Sequence, residues 1–214
     1  MSEAVVFDLD GVILDSEQVW DEVREQLVVD WGGRYSPEAQ QAMMGMSSRE
    51  WALYMHEELG VPQKPGEIND EVVRRMLDRY RAKLPLIEGA VDAVRRLAES
   101  FPLAVASSSN RPLIDAVLAE AGIRSCFAAI VSSEEVARGK PAPDVYLEAA
   151  RRLGVAPELC AAIEDSGNGI RAAHAAGMRV IAYPNPHYPP PAEAMSLADA
   201  VLSSLDQLTP ELIG

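Results

Sequence analysis

Six short apolar runs, at Ala4–Phe7, Leu103–Ala106, Ala128–Val131, Cys160–Ile163, Arg179–Ala182 and Ala200–Leu202, constrain this chain more than any other feature. They are nearly continuous rather than alternating, as expected of strands covered on both faces in a parallel sheet. Helical periods fill the gaps between the later runs. Val91, Val94, Leu97 and Ala98 mark one, Leu113, Val117, Leu118 and Ala121 another, and Tyr146, Leu147, Ala150 and Leu153 a third, over Pro143–Leu153. Strands alternating with helices of this length predict an α/β fold, a Rossmann-like parallel sheet with helices on both faces.

The stretch from Asp15 to Leu84 breaks the rhythm, with helix after helix and no convincing strand. Val19, Val23, Leu27 and Trp31 repeat every four residues before Gly32-Gly33. Ser36-Pro37 can open a second helix, Ser48–Leu59 forms a third, and Asp70–Lys83 a fourth before Pro85. One strand precedes this block and the rest follow it. The expected organisation is therefore an α/β core built from residues 1–14 and 85–214, with an inserted α-helical cap at 15–84. The insertion also explains why 214 residues exceed the roughly 150 of one ordinary domain. The proline-heavy Tyr183–Pro191 segment reads as an extended surface excursion without chemistry.

Charge narrows the partners. With 33 acidic and 19 Lys/Arg side chains the formal charge is −14, which disfavours nucleic acid and anionic membrane surfaces, since both need a basic face. No apolar run approaches the ~18 residues of a membrane span, and the first residues lack the basic start of a secretory signal. Cys126 and Cys160 stand far apart with no metal-type spacing, as small buried hydrophobes in a reducing compartment. The chain reads as cytoplasmic.

Four places put polar groups directly after a strand, where open parallel sheets gather their ligands. Asp8-Leu-Asp10-Gly11 follows the first, with two carboxylates on the same side of an extended backbone. Ser107-Ser108-Ser109-Asn110 follows the second and could bind phosphate or merely cap a helix. Lys140 precedes Pro141 and Pro143, which fix the chain on either side of Ala142, and is a candidate counter-charge for a carboxylate–phosphate centre or a surface lysine. Glu164-Asp165-Ser166 follows the fourth, offering hard oxygen ligands suited to Mg²⁺, or an N-cap. Arg74, Arg75, Arg79, Arg81 and Lys83, mixed with acids, read as an exposed salt-bridged face.

In this order, DxDGV, SSSN, KPxPD and EDSxxGIxAAxAAG resemble the haloacid dehalogenase-like hydrolase superfamily, and its helical-cap subgroup of phosphoglycolate phosphatase-like and β-phosphoglucomutase-like enzymes. The resemblance covers essentially the whole chain. It implies that Asp8 is the nucleophile, forming an aspartyl phosphate, and that Asp10 is the general acid and then base. It implies Mg²⁺ at Asp8, the Asp10 carbonyl and Asp165, with Glu164 as a further contact. Ser107 and Lys140 would serve the phosphoryl group, with Gly11, Ser108 and Asn110 as binding candidates. The acid at Asp10 favours phosphoryl transfer over dehalogenation, because a departing halide needs no proton. In the mutases a cap histidine assists the sugar; Trp20 stands at the matching position here, which favours a phosphatase. Arg49 and Trp20 are cap candidates for meeting substrate, with Arg49 one residue further from its glycine, Gly45, than in the mutases. The expectation is a Mg²⁺-dependent, monomeric phosphatase of a small phosphorylated metabolite; a sugar-phosphate mutase and a non-catalytic phosphometabolite-binding module are the alternatives.

Overall fold

The structure is a computed structural model that describes every residue except Gly45, the Pro37 side chain aside. Six strands, β1 (Ala4–Phe7), β2 (Leu103–Ser107), β3 (Phe127–Ser132), β4 (Cys160–Glu164), β5 (Arg179–Ala182) and β6 (Ala200–Val201), make one sheet in the order β3-β2-β1-β4-β5-β6. Every neighbouring pair is parallel. The continuous apolar runs thus are strands buried on both faces, as their pattern predicts. From central β1 the chain winds outward to β2 and β3, then returns to β4 on β1's other side. That reversal opens a crevice at the carboxyl end of β1.

The two faces differ in side-chain size. Val5, Phe7, Val105 and Ile163 project into one cluster, whereas Ala4, Val6, Ala104, Ala106 and Ala162 project into the other. The alanine-rich face lies against α7 (Asp144–Leu153) and α8 (Gly167–Ala175) through Tyr146, Ala149, Ile170 and Ala173. The larger cluster runs without a break into the helical insertion, taking in Trp20, Leu27, Trp51, Met55, Ile68 and Met76.

That insertion consists of α1 (Glu17–Asp30), α2 (Pro37–Met43), α3 (Ser48–Glu57) and α4 (Pro65–Ala82). It leaves and rejoins the sheet layer side by side: Asp15 N–H donates to Pro85 O (2.9 Å) and Ile87 N–H to Ile13 O (3.0 Å). Helix α4 starts five residues before the periodicity at Asp70 suggests. Proline at its first position and the Glu67 carboxylate, which accepts from Lys64 N–H (3.0 Å), set that start. The arginines of α4 do form an exposed network, with Arg74 and Arg75 both bonding Glu71. Helices α5 (Ala90–Ala98) and α6 (Arg111–Glu120) flank β2 in sequence.

Candidate active site

The loop after β1 places two acids at the crevice. Asp8 N–H donates to Ile163 O (3.0 Å), which ties the strand end to β4, and Asp8 Oδ1 accepts from Leu9 N–H (2.8 Å). Lys140 Nζ lies 3.1 Å from that Oδ1 and 2.6 Å from Glu164 Oε1. The Lys140 side chain is only 3% exposed and Glu164 is fully buried. Burial works against the ammonium, but Asp8 and Glu164 outweigh it and hold Lys140 above its ordinary value.

Glu164 is saturated. Its Oε1 also accepts from Tyr146 O–H (2.7 Å), and its Oε2 accepts from the N–H of Asp165 and Ser166 and from Ser166 Oγ–H. Burial opposes its charge, yet Lys140 and these donors keep the carboxyl below its ordinary range. Asp165 has no such cation of its own. Burial, with Glu164 and Asp8 alongside, pushes its carboxyl well up. Burial likewise pushes Asp8 up to about 8 against the pull of Lys140, with Glu164 and Asp10 adding repulsion.

Oxygens of Asp8, Glu164 and Asp165 lie within 4.8 Å of one another. Three acids share one lysine, so the centre is short of positive charge, and hard carboxylate oxygens at this spacing suit a divalent cation such as Mg²⁺. Two glycines make the convergence possible. Gly11 has φ +80°, and a Cβ there would run into the Asp165 carboxylate; a Cβ at Gly169 would run into that of Glu164. Gly11 therefore belongs to the site through the space it leaves.

Asp10 is held differently, by neutral donors only. Ser16 Oγ–H and Trp20 Nε1–H (3.2 Å) donate to Oδ1, and Ser109 Oγ–H (2.6 Å) to Oδ2. The two acids of one loop thus have unlike surroundings, one gripped by an ammonium and the other by neutral donors. Asp8, Asp10, Lys140 and Asp165 line one end of a cavity of about 410 Å³, whose other end is formed by the helical insertion with Trp20, Arg24 and Trp51.

The other candidates divide. Ser108 and Ser109 reach the cavity wall. Ser107 is fully buried at the end of β2, outside that wall, and its Oγ accepts from Ser109 N–H (3.0 Å). Asn110 is also outside it and is buried between core and insertion, donating to Asn69 Oδ1 of α4 (2.9 Å) and Glu134 Oε1 (2.7 Å). Ser48 Oγ–H of α3 shares that Glu134 oxygen. Arg49 is exposed and does not line the cavity, and the Gly45 spacing linked to it lies outside the described residues.

Ser16, Ser109 and Tyr146 act on the acids but have no strand-end signal of their own, apart from Ser109's place in the serine run. The proline-rich segment is not a detached excursion: Asn185, Tyr188 and Pro189–Pro191 wall the cavity. Its fixed, extended backbone suits it to that use.

A parallel sheet with this strand order, a helical insertion over the central strand, and a lysine-bound aspartate beside two further acids define a phosphoryl-transfer hydrolase. Comparison with known proteins agrees. The haloacid dehalogenase-like hydrolase model matches residues 3–177. Hexitol phosphatase B of Escherichia coli K12 is 36% identical over 96% of this chain and 94% of its own length. The bifunctional riboflavin kinase/FMN phosphatase of Arabidopsis thaliana is 33% identical over 96% of this chain, which spans 54% of that longer protein. The crystal structure of CbbY from Rhodobacter sphaeroides in complex with phosphate superposes with TM-score 0.85 at 28% identity, covering 97% of this chain and 96% of the other. The chain belongs to the haloacid dehalogenase-like hydrolase family.

Proposed function

We propose that this protein hydrolyses the phosphoric monoester of a small metabolite with Mg²⁺, through an aspartyl phosphate on Asp8. The observation that carries the reading is the unequal treatment of two neighbouring acids: Lys140 grips Asp8, while three neutral donors hold Asp10. Lys140, joined by a divalent cation, would draw Asp8 into its ionised, nucleophilic form, and Asp10 is held by serine hydroxyls that can either donate or accept, which suits a group that passes a proton. Asp8 attacks phosphorus, and the bond to the leaving oxygen breaks as Asp10 hands that oxygen its proton. Asp10 then takes a proton from water, whose oxygen attacks the acyl phosphate; inorganic phosphate leaves and Asp8 is restored.

Mg²⁺ bound by Asp8, Asp165 and the Asp10 carbonyl would neutralise charge on the phosphoryl oxygens. Glu164, whose oxygens already accept five hydrogen bonds, acts at one remove by fixing Lys140. Ser108, on the cavity wall just past β2, would meet the phosphoryl group, and Ser107, buried behind that wall, would serve it by holding Ser109 N–H and the loop in place. The side-by-side exit and return of the chain at residues 13–15 and 85–87 supports a cap spanning 15–84. The cavity is completed within one chain, which suits a monomer, and the free Cys126 and Cys160 suit the cytoplasm.

Relatives named as phosphatases, including hexitol phosphatase B, and a relative solved with phosphate support a phosphorylated small molecule as substrate. The test is Mg²⁺-dependent release of phosphate from p-nitrophenyl phosphate. Asp8→Asn should lower it by about 10⁴-fold or more, since the nucleophile itself is gone. Undiminished turnover would overturn the assignment. Incubation with β-glucose 1-phosphate and a bisphosphate activator separates hydrolysis, which yields free phosphate, from the mutase alternative, which yields isomer.

A further inference from the structure

The cap side of the cavity contains a cation that the reaction above does not use. Arg24 is 7% exposed, yet its Nε has no hydrogen-bond partner. Among the described residues no carboxylate lies within the 4.0 Å of an ion pair from its guanidinium. What holds it is aromatic: the guanidinium carbon sits 4.6 Å from the Trp20 ring centroid and 5.2 Å from that of Trp51. Stacking of this kind fixes the plane of the fork and leaves its N–H edge free. A buried guanidinium without partners is costly, and a ligand that accepts from it removes that cost.

Position tells which part of a ligand it would meet. Glu17, Trp20 and Arg24 stand at i, i+3 and i+7 of α1, one stripe of the helix, and all three line the cavity. Trp20 touches Asp10 with its Nε1–H and Arg24 with its ring face. Arg24 therefore lies one indole beyond the group that protonates the leaving oxygen. It is placed for atoms of the leaving group a few bonds from the ester.

Charge tells which chemistry. The other ionic groups on the wall beyond the Asp8 centre are Glu17, an acceptor on the same helix, and Arg171 of core helix α8, which bonds the exposed Glu193 (2.9 Å). Asp21 is off the wall and bound by Tyr35 O–H. One free guanidinium and one carboxylate make a neutral pair with both donors and an acceptor. Hydroxyl groups satisfy both at once, because each accepts and donates. A second anionic group would pair with Arg24 but face Glu17.

Resting on the hydrolase reading, we propose that Arg24 and Glu17 are the specificity-determining pair of this enzyme. They select the monophosphate of an uncharged, polyhydroxylated carbon chain over esters with a second anion. The cavity, about 410 Å³, falls at the small end of small-molecule sites, which suits such a ligand.

The test compares kcat/KM for a hexitol monophosphate, 2-phosphoglycolate and p-nitrophenyl phosphate. Wild type should prefer the hexitol ester to both others. Arg24→Met should lower the hexitol-to-aryl ratio by about 30-fold, chiefly through KM, and Arg24→Lys by less, because a point charge cannot replace the fork. Glu17→Gln should lower the same ratio by several-fold and relieve the discrimination against phosphoglycolate. A ratio unchanged in Arg24→Met, or a wild type that prefers phosphoglycolate, overturns the proposal. If Arg24→Met does not fold, the wild-type ranking and Glu17→Gln decide it. Absence of any Mg²⁺-dependent aryl phosphate hydrolysis by the wild type would sink the hydrolase reading itself instead.

Discussion

The two ends of the cavity are built by opposite means. At the sheet end the acids are set by backbone: Asp8 follows directly on β1, Glu164 ends the adjacent parallel β4, and Leu9, Asp165 and Ser166 give their N–H groups to the two carboxylates. At the cap end the groups are side chains of one helix, ordered by two indoles and a few neutral donors. The first construction holds charges that oppose one another within a few ångströms. The second can change its residues without disturbing the sheet. Chemistry that must stay constant and selection that can vary thus occupy different supports, as expected when sites are grafted on a common fold.

Three measurements would break or sharpen that contrast. Asp10 spans both ends, and its replacement should have the largest effect. Asp10→Asn removes the acid and base together and should cut kcat by about 10²–10⁴-fold, measured as free phosphate from an alkyl monophosphate. A poor leaving group should suffer more than p-nitrophenolate, which departs with little help; equal losses would deny Asp10 its acid role.

The second measurement concerns the sheet end alone. An acid whose folded value is raised contributes stability below its unfolded value, near 3.8 for Asp8, and that contribution is lost as pH rises through about 8. Metal-free protein should therefore lose stability across this window, and Mg²⁺ should restore it by binding the deprotonated acids. The rise in Tm on adding Mg²⁺ should be larger at pH 8 than at pH 5.5. A shift that is equal at both, or larger in acid, would count against a metal held by these carboxylates.

The smallest effect belongs to the cap end. Trp20→Phe deletes one of the three donors to Asp10 while keeping an aromatic ring under Arg24. A hydrogen bond to a charged group contributes about 1.5–3 kcal/mol at most, and this one, at 3.2 Å, is long. The loss in kcat/KM should be about 5–10-fold, with the Mg²⁺-induced rise in Tm kept. Loss of the metal would show that the two ends are not separate.

The same contrast explains what could be read from the amino-acid order. Asp8, Asp10 and Asp165 follow directly after apolar runs, and Lys140 stands in a loop fixed by Pro141 and Pro143, so all four were accessible to pattern and spacing. Parallel strands buried on both faces leave little ambiguity about where they end, and ligands gather there. Helical periodicity, by contrast, says which face is apolar but not whether that face packs or lines a void. Arg24 shares a stripe with core residues, and nothing local marks it as cavity wall; Trp20 on the same stripe stands out only through the family resemblance. Asn110 looks like a phosphate donor in sequence, yet meets α4 through Asn69, a contact 41 residues away along the chain. Tyr146 and Ser16 needed the folded chain for the same reason. The proline segment shows the limit of composition: an extended, fixed backbone reads as surface, and here that surface is a wall.

Gly11 has a consequence for how such a site can change over generations. The Asp165 carboxylate occupies the volume that any side chain at position 11 would claim, and φ there is +80°. Position 11 and position 165, 154 residues apart in the chain, are thus a single heritable character. Drift at one leaves no viable neighbour at the other, whereas α1 is free to explore new residues one at a time.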